Sequence, residues 1–489
     1  MAISYLKDSG KLWAVQQLSE PTMRKVIIAF LLTLPLMSFG QDRYLVDWDE
    51  VGEESINHLI DLIQIDTSNP PGNETEAANY VKAALAAEGI DSELFALDPD
   101  RANLVARIKG NGSKRPILIM GHTDVVGVQA ERWDEDPFGG LRKDGWIYGR
   151  GTLDDKDNVT AAIMLMKMLK RYGVDLDRDI IFLAESGEEG TPEVGVNYMV
   201  EHHWDKIEAE FCLAEGGSNI LAENGVSVVA IQSTEKKPRR ATLVARGTAG
   251  HGSVPRMDNA VTALAKAVAK AGSWKTEMRL NPVSRAYFER LATISEPEDA
   301  WRYRNIENPE ETDAIQQHFL ETYPFHYSVL RTSVVPTVID GGFRRNVIPS
   351  EASAILDIRM LPDEDVDAFY DQLRDLIDDP NVEVVPEPIY RPEAPPSPID
   401  NEMFQSLERT ANQMYPDALV LPSMSTGATD MAQIRAKGVP SYGIGATRSI
   451  DEINSGNGAH GDNERVSEDS VKQLVQFLWY TIIDIAATK

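Results

Sequence analysis

Three short apolar runs in the first half of the chain are each followed, within a few residues, by a carboxylate or an imidazole. The runs cover residues 117–120, 180–184 and 211–214. Continuous apolar stretches of this length are typical of strands buried on both faces of a parallel sheet. In open α/β sheets, functional groups lie beyond the carboxyl ends of the strands. The pattern therefore predicts an α/β fold in which polar groups from distant parts of the sequence meet at one sheet edge.

Helical patterns separate these apolar runs. Residues 53–90 predict a pair of helices with a Pro-Pro-Gly break between them, and residues 159–169 predict a third helix that ends in basic residues and a glycine. Residues 440–444 predict a further buried strand. Buried strands that alternate with helices indicate a sheet covered by helices on both faces.

The middle of the chain predicts a second, smaller domain. Strands are expected at residues 240–246, 352–359 and 382–385, and helices at 259–271 and 365–377. A β-α-β-β-α-β order indicates a ferredoxin-like α+β domain inserted into the larger one.

One stretch inside this region, residues 274–330, is aromatic-containing and irregular, and the sequence assigns it no element.

Five short motifs carry the chemistry of the chain. Each places a carboxylate or an imidazole beside small residues, as a metal that prefers oxygen and nitrogen ligands requires. One such motif alone is a weak signal, but five in this order predict a hydrolytic site with two metals. The motifs are Gly-His-Thr-Asp at 121–124, Thr-Leu-Asp-Asp-Lys at 152–156, Ser-Gly-Glu-Glu-Gly at 186–190, Leu-Ala-Glu-Gly-Gly at 213–217 and Gly-Ala-His-Gly at 458–461.

Asp154 is the candidate bridging ligand, because a carboxylate has an oxygen for each of two adjacent metals. The predicted sites are His122, Asp154 and Glu215 for one metal, and Asp154, Glu189 and His460 for the other. Nitrogen and oxygen ligands without cysteine suit two zinc ions per chain, with cobalt or manganese as substitutes. The alternative, that this aspartate motif only caps the following helix, is favoured for the motif alone and disfavoured by the other four.

Glu188 is the candidate general base. Adjacent carboxylates repel each other unless a cation accepts one of them, so Glu189 is assigned to a metal and Glu188 to the proton transfer. Glu188 would take a proton from water and pass it to the leaving amine. Asp124, two residues after His122, would accept the second N–H of the imidazole. The alternative is a solvated pair of glutamates on a loop.

The charge and the single cysteine exclude several classes of protein. A formal net charge of −29 leaves no basic face for nucleic acid or for an anionic membrane. Cys212, the only cysteine, lies in an apolar run, which predicts a buried core residue rather than a nucleophile or a disulfide.

The N-terminus has the layout of a secretory signal peptide. A basic start at Met23, an apolar run at residues 26–32 and small residues before position 41 predict export, to a bacterial periplasm. Met23 is then the more natural start. A buried first helix is the alternative. The apolar run at 474–485 is short and contains an aspartate, so no stable membrane insertion of the mature chain is expected.

With these motifs, the chain resembles the aminoacylase/carboxypeptidase family of co-catalytic zinc peptidases, and within it carboxypeptidase S. The segments 121–126 and 149–156 match the family signatures almost letter for letter, and the resemblance extends from about residue 50 to residue 489. It implies a zinc-binding catalytic domain interrupted by a lid or dimerisation domain, and a cis peptide bond after Asp154.

The resemblance also implies further site residues. His251, in Gly-His-Gly-Ser-Val-Pro, resembles a lid histidine that stabilises the tetrahedral oxyanion, often across a homodimer. Asn346 and Arg359 resemble residues that hold the substrate carboxylate, a role that suits an arginine. Gly427 resembles the substrate-binding glycine turn, although Ala428 stands where the family usually has a second glycine.

Hydrolysis of an amide bond next to a free C-terminal carboxylate is the function these features imply. The substrate is then a small peptide, as for a carboxypeptidase or dipeptidase, or an N-acyl amino acid, as for an aminoacylase. A non-catalytic binding or dimerisation protein on the same fold is a third alternative. The predicted division of the chain is an N-terminal extension with signal peptide at 1–40, catalytic segments at 43–238 and 389–489, and a lid or dimerisation domain at 239–388.

Overall fold

The computed structural model of the protein describes residues 44–223, 225–389 and 391–489. The predicted signal segment at 1–40, including Met23, lies outside the described residues. The helices, in chain order, are α1 (Trp48–Ile63), α2 (Glu74–Ala86), α3 (Lys156–Arg171), α4 (Val196–His202), α5 (Trp204–Ile207), α6 (Ala260–Gly272), α7 (Pro282–Leu291), α8 (Pro297–Arg304), α9 (Thr312–Thr322), α10 (Pro324–Val329), α11 (Val366–Ile377), α12 (Glu402–Met414), α13 (Met431–Ala436), α14 (Ile450–Asn454) and α15 (Glu468–Ala486).

The strands, in the same order, are β1 (Ser68–Asn69), β2 (Ser92–Phe95), β3 (Asn103–Ile108), β4 (Ile117–His122), β5 (Val125–Val126), β6 (Leu141–Lys143), β7 (Trp146–Tyr148), β8 (Ile180–Glu185), β9 (Phe211–Ala214), β10 (Ser218–Ala222), β11 (Gly225–Glu235), β12 (Lys237–Arg246), β13 (Gly250–His251), β14 (Ser333–Gly341), β15 (Val347–Ile348), β16 (Glu351–Met360), β17 (Val382–Pro386), β18 (Leu419–Ser425), β19 (Ser441–Gly443), β20 (Thr447–Ser449) and β21 (Arg465–Ser467).

A mixed ten-stranded sheet forms the centre of the described residues. Its order is β2-β3-β8-β4-β9-β19-β11-β10-β20, with β18 beside β11. The neighbours β8-β4-β9-β19 run parallel, and antiparallel strands extend the sheet on either side of them. The predicted α/β fold with a mixed, largely parallel sheet is confirmed.

Helices cover both faces of this sheet. Along β4, Ile117 and Ile119 belong to an apolar cluster that includes residues of α3, α12 and α15. The alternate residues Leu118 and Met120 belong to a second cluster with residues of α4 and α13. Because side chains alternate along a strand, a strand buried on both faces must be apolar at every position. This explains the continuous apolar runs in the sequence.

A separate antiparallel sheet, in the order β14-β16-β12-β17, forms the predicted ferredoxin-like unit. Its strands and the helices α6 and α11 follow one another as β-α-β-β-α-β, and their apolar sides share one core. Four additional helices, α7 to α10, lie between α6 and β14. The sheet is confirmed, whereas the domain boundaries at 239 and 388 stay a prediction.

The expectation that residues 274–330 are irregular is wrong. They form the helices α7 to α10, and three of these begin with proline at the first helical turn, a position where the missing N–H costs nothing. Their apolar residues share a core with residues of β10, β11 and β18. The side chain of Arg290 in α7 donates a hydrogen bond of 3.0 Å to the carbonyl oxygen of Val420 in β18. This segment therefore packs against the larger sheet.

Cys212 is fully buried in β9, and burial raises the pKa of its thiol. This agrees with its predicted role as a core residue. Among the described helices, each is too short or too polar to cross a bilayer.

Candidate metal centre

The polar groups of the five motifs meet beyond the carboxyl ends of the central parallel strands. His122 is the last residue of β4, Glu189 lies on the loop after β8, and Glu215 follows the last residue of β9 directly. His460 lies in the loop between α14 and β21, with a left-handed φ of 63° that residues other than glycine adopt rarely. The predicted convergence at one sheet edge is therefore observed.

Asp154 lies between the two histidines. Its Oδ1 is 2.9 Å from Nε2 of His122, and its Oδ2 is 3.1 Å from Nε2 of His460. The Nε2 of His460 also lies 2.8 Å from Oε1 of Glu189. Each carboxylate oxygen of Asp154 thus faces a different imidazole, the arrangement required of a bridging ligand.

The predicted ligands fall into two compact groups. One atom from each of His122, Asp154 and Glu215 lies within 4.8 Å of the others, and the same holds for Asp154, Glu189 and His460. These are the two sites predicted from the sequence. A third group that meets the same criterion joins His122 and Glu189 to Glu188.

The electrostatics of the cluster fit divalent cations. Burial raises the pKa of Glu215 well above its ordinary value, and the neighbouring carboxylate of Asp154 raises it further. Burial would lower the pKa of His122, but its contacts with Asp124 and Asp154 raise it well above the ordinary value. Several carboxylates buried together favour protonation unless a cation balances them. Nitrogen and oxygen donors in this number match a pair of divalent metal ions.

Asp155 anchors the loop that carries Asp154, and it does not cap α3 with its side chain. Its Oδ2 accepts a hydrogen bond of 3.2 Å from the backbone N–H of His122, and its Oδ1 accepts one of 2.6 Å from Asn158. The peptide bond between Asp154 and Asp155 is cis, as the resemblance implied. The side chain of Asp155 therefore ties this loop to the end of β4.

Glu464 joins the loop of Asp154 to the loop of His460. Its Oε1 accepts a hydrogen bond of 2.8 Å from the N–H of Leu153, and its Oε2 accepts one of 2.5 Å from Arg150. Both charged side chains of this pair are almost completely buried. Two loops that are over 300 positions apart in sequence are thus held together beside the metal ligands.

Asp124 connects His122 with the glutamate loop. The Nδ1 of His122 lies 2.9 Å from the carbonyl oxygen of Asp124 and 3.5 Å from its Oδ1, so the carbonyl is the nearer partner. The carboxylate of Asp124 accepts hydrogen bonds from the N–H groups of Glu188 and Glu189, at 3.1 and 3.0 Å, and one of 2.8 Å from Asn69. The predicted acceptor role therefore falls mainly to the backbone of Asp124, while its side chain orients the loop.

Glu188 is buried and paired with an arginine that the sequence did not indicate. The Nη2 of Arg391 donates a hydrogen bond of 2.5 Å to Oε1 of Glu188, and Nη1 lies 3.2 Å from Oδ1 of Asp430. Burial raises the pKa of Glu188 to about 8, although the charge of Arg391 opposes this rise. A carboxylate with such a pKa can accept and release a proton near neutral pH.

The lid residues implied by the resemblance lie in a group of their own. His251 pairs with Val347 across β13 and β15, and the N–H of Gly252 donates to the carbonyl oxygen of Asn346 at 2.9 Å. The side chains of His251 and Asn346 are exposed, and Nδ1 of His251 lies 2.7 Å from the hydroxyl of Ser253. No hydrogen bond or ion pair within residues 44–223, 225–389 and 391–489 joins this group to the metal ligands.

Arg359 and Gly427 also have local partners. Arg359, in β16, forms a two-pronged ion pair with Asp357, with the shorter contact at 2.7 Å. Gly427 follows the end of β18 and donates its N–H to the hydroxyl of Ser425 at 3.0 Å. The assignment of Asn346, Arg359 and Gly427 to substrate binding stays a prediction.

Three residues beside the centre, Arg391, Glu464 and Asn69, were not assigned from the sequence. Arg391 contacts a residue 203 positions away, and Asn69 contacts one 55 positions away. Glu464 lies four positions after His460, so proximity to a predicted ligand was the only signal available for it.

A doubly wound sheet with paired carboxylate and imidazole clusters at its strand ends defines a co-catalytic metal hydrolase. Comparison with known families agrees, since residues 118–484 match the profile of the peptidase family M20/M25/M40. The chain belongs to this family, and it is a metal-dependent hydrolase of the carboxypeptidase-like kind.

The sequence identity to individual relatives is low, between 20% and 29% for the three proteins that follow. The chain is 27% identical over 378 residues to the N-fatty-acyl-amino acid synthase/hydrolase PM20D1 of Xenopus tropicalis, covering 74% of this chain and 71% of that protein. It is 29% identical over 390 residues to the probable carboxypeptidase S-like 2 of Dictyostelium discoideum, covering 78% and 74%. The M20 family metallo-carboxypeptidase Sso-CP2 of Sulfolobus solfataricus superposes with a TM-score of 0.66 at 20% identity, covering 88% and 98%. This last similarity supports the fold.

Proposed function

We propose that the protein binds two zinc ions and hydrolyses the amide bond next to a free C-terminal carboxylate. The observation that carries this proposal is the position of Asp154, whose two oxygens lie 2.9 and 3.1 Å from imidazoles of different predicted sites. A pair of zinc ions would polarise the scissile carbonyl and make a bound water more acidic. Cobalt or manganese are the expected substitutes.

Glu188 provides the proton transfer in this proposal. Its Oε1 is held by Arg391, and the backbone N–H of Glu188 is held by Asp124, so the carboxylate has a fixed orientation. Glu188 takes a proton from the attacking water and delivers it to the leaving amine nitrogen. Its buried surroundings raise the pKa of this carboxylate above the ordinary value, which makes it a stronger proton acceptor than an exposed glutamate.

Two substrate classes fit this chemistry, namely small peptides and N-acyl amino acids. The carboxypeptidase S-like relative supports the first class, and the acyl-amino-acid hydrolase relative supports the second. Both classes end in a carboxylate, for which Asn346 and Arg359 are the proposed binding groups.

Amino-acid release from matched substrates tests the proposal. Zinc-loaded enzyme is assayed with dipeptides and N-acyl amino acids, each with a free and an amidated C-terminus. Cleavage confined to the free carboxylates is expected, and Glu188→Gln should lower kcat by about 10² to 10⁴ while zinc content is retained. The exposed loop residue Glu193 supplies the control Glu193→Gln. Equal cleavage of amidated substrates would contradict the proposed carboxylate recognition.

Export to a bacterial periplasm is also proposed, supported by the signal-like layout of residues 23–40. Cell fractionation of the full chain, compared with a chain that begins at residue 41, is the test. Equal cytoplasmic retention of both would contradict it.

A homodimer formed through the ferredoxin-like sheet is proposed as well. The edge strand β14 carries the exposed apolar residues Val335, Val338 and Ile339. Exposed apolar edge strands are suited to pairing with a second chain. Sedimentation of the wild type and of Val338→Lys should show a dimer that weakens in the variant, whereas a monomer in both would contradict the proposal.

A further inference from the structure

A cavity of about 320 Å³ lies beside the metal centre, between the larger sheet and the helices α7, α10 and α14. Strands β10, β11 and β18 form its floor. Its volume lies at the lower end of the range for small-molecule sites in proteins. The cavity is distinct from the cluster of metal ligands, and none of the predicted site residues lines it.

Two chain segments link the lining of the cavity to residues of the predicted site. Gly216, which lines it, directly follows the predicted metal ligand Glu215. Ser425 and Thr426, which also line the cavity, directly precede Gly427 of the predicted substrate-binding turn. A substrate whose scissile carbonyl lies at the metals would thus have the cavity within reach.

Apolar side chains from the sheet and the additional helices form a large part of the lining, and Ser218, Ser423 and Asn454 add polar groups to it. Ile220, Val228 and Leu421 come from the sheet, while Tyr287 of α7 and Phe325 of α10 come from the additional helices. All five residues belong to, or pack against, one apolar cluster. The cavity is therefore a gap in a packed core, with shape set by side chains that have little freedom to move.

The only charged side chain along the cavity wall among the described residues is Arg448. Its Nη2 donates a hydrogen bond of 3.2 Å to the carbonyl oxygen of Glu452, and the guanidinium lies against Gly458, which does not line the cavity. No aspartate or glutamate of the described residues lines the cavity. The lining thus offers no counter-charge to an amine, and it suits a hydrocarbon group.

We propose that this cavity holds the hydrocarbon chain of the acyl group of an N-acyl amino acid. The inference rests on the proposed function, because the amide bond must lie at the metal centre. The groups proposed for the carboxylate, Asn346 and Arg359, belong to the ferredoxin-like unit and do not line the cavity. The carboxylate half of the substrate therefore faces that unit, and the acyl half faces the larger sheet.

Chain-length dependence is the expected signature. Burial of one methylene contributes about 0.8 kcal/mol, which corresponds to roughly fourfold in kcat/KM. In a series from N-acetyl to N-hexanoyl to N-octanoyl alanine, kcat/KM should rise by about this factor per methylene until the cavity is filled. A parallel series of N-acetyl amino acids with growing apolar side chains should respond less steeply.

A substitution that fills the cavity tests whether the acyl chain binds there. Ala230 lies on the cavity floor in β11, and Ala230→Phe should reduce the preference for octanoyl over acetyl substrate by at least about tenfold. Ala83→Phe, the same change at an exposed position of α2, is the matched control and should keep the wild-type preference. An unchanged preference in a folded Ala230→Phe enzyme would overturn the proposal.

Binding measurements separate this inference from the proposed function. With zinc-loaded Glu188→Gln, calorimetry should show tighter binding of N-octanoyl alanine than of N-acetyl alanine, and Ala230→Phe in this background should remove the difference. This result would stand even if the wild type released no amino acid, an outcome that would remove only the hydrolytic proposal. Stronger binding of an acyl chain that ends in a carboxylate would show that Arg448 selects an acid, and it would overturn the assignment to hydrocarbon chains.

Discussion

Arg391 holds the carboxylate of Glu188 through a hydrogen bond of 2.5 Å between Nη2 and Oε1. Arg391 lies in the segment that returns from β17 to α12, that is, from the ferredoxin-like sheet to the larger sheet. Its other amino group lies 3.2 Å from Asp430. The arginine is thus itself oriented, and it leaves Oε2 of Glu188 available for proton transfer. This geometry is that of a positioning residue for the proposed general base, Glu188.

Loss of this contact should lower turnover more than substrate binding. We expect Arg391→Ala to reduce kcat by about tenfold to a hundredfold, less than the loss of the base itself, with KM little changed. Steady-state kinetics with zinc content measured on the same samples is the test. Partial recovery of kcat in Arg391→Lys, or on addition of a soluble guanidinium compound, would identify the charge as the active feature.

Arg409→Ala is the matched control, because Arg409 forms an ion pair with Asp484 at the surface. It should leave kcat unchanged. If Arg391→Ala instead raises KM selectively for substrates with a free carboxylate, then Arg391 binds substrate and does not position Glu188.

Substitutions of different predicted metal ligands should differ in how many zinc ions the protein retains. Asp154 belongs to both ligand groups, whereas His460 belongs to one. We therefore expect Asp154→Ala to lose both zinc ions on dialysis, and His460→Ala to retain one. Atomic spectroscopy of the dialysed proteins gives the stoichiometry. The exposed residue His202 supplies the control His202→Ala, with full occupancy expected. Equal stoichiometry in Asp154→Ala and His460→Ala would contradict a bridging role.

The clustering of the candidate ligands could be predicted because the sequence signal for each of them is local. His122 and Glu215 each stand directly at the end of an apolar run that forms a buried strand. The glycine beside Glu215 is required by geometry, since Gly216 has a φ of 103° and a side chain there would overlap Gln232. Apolar runs that end in an imidazole or a carboxylate beside glycine therefore indicated both the fold and the position of the candidate metal centre.

The residues that support the centre were not predictable, because their partners are distant in sequence. Arg391 follows no strand and belongs to no motif, and only the folded chain brings it to Glu188. The helices α7 to α10 were missed because their pattern is short and interrupted. Asn281 and Pro282 form a helix start that was present in the sequence, with the side chain of Asn281 capping the N–H of Ser284. The cavity could not be predicted either, because it forms only where the helices α7 to α10 pack on the sheet.

Glu464 should stabilise both the fold and the metal centre. Glu464→Ala leaves Arg150 buried without its partner, which costs on the order of 3–5 kcal/mol. It also releases the N–H of Leu153, next to Asp154, so zinc affinity should fall by about 10- to 100-fold. Glu464→Gln can still accept from Leu153, and it should lose stability while keeping most of the zinc affinity.

Urea unfolding and competition with a zinc chelator measure these two effects separately. Asp462→Ala, at an exposed position of the same loop, is the control and should change neither. Full stability and full zinc affinity in Glu464→Ala would show that the two loops are held together by other contacts.

Glu54 predicts a pH dependence of stability that is independent of metals. Burial alone would raise the pKa of Glu54, but hydrogen bonds from Arg171 and Lys167 lower it to about 2. A carboxylate whose pKa is lower in the folded than in the unfolded state stabilises the fold above its unfolded pKa of about 4.5. This stabilisation is lost as the pH falls from about 4.5 through about 2.

We expect Glu54→Gln to lower the free energy of unfolding by about 1 kcal/mol near neutral pH, a value reduced for the partial exposure of the side chain. The difference from the wild type should shrink by more than half by about pH 3, because Glu54 is then increasingly protonated in the unfolded chain. Urea unfolding near neutral pH and at about pH 3 measures this difference in the free energy of unfolding. Glu289→Gln, at an exposed position of α7, is the control. A difference of the same size at both pH values would show that Glu54 acts through packing, since only its charge titrates in this range.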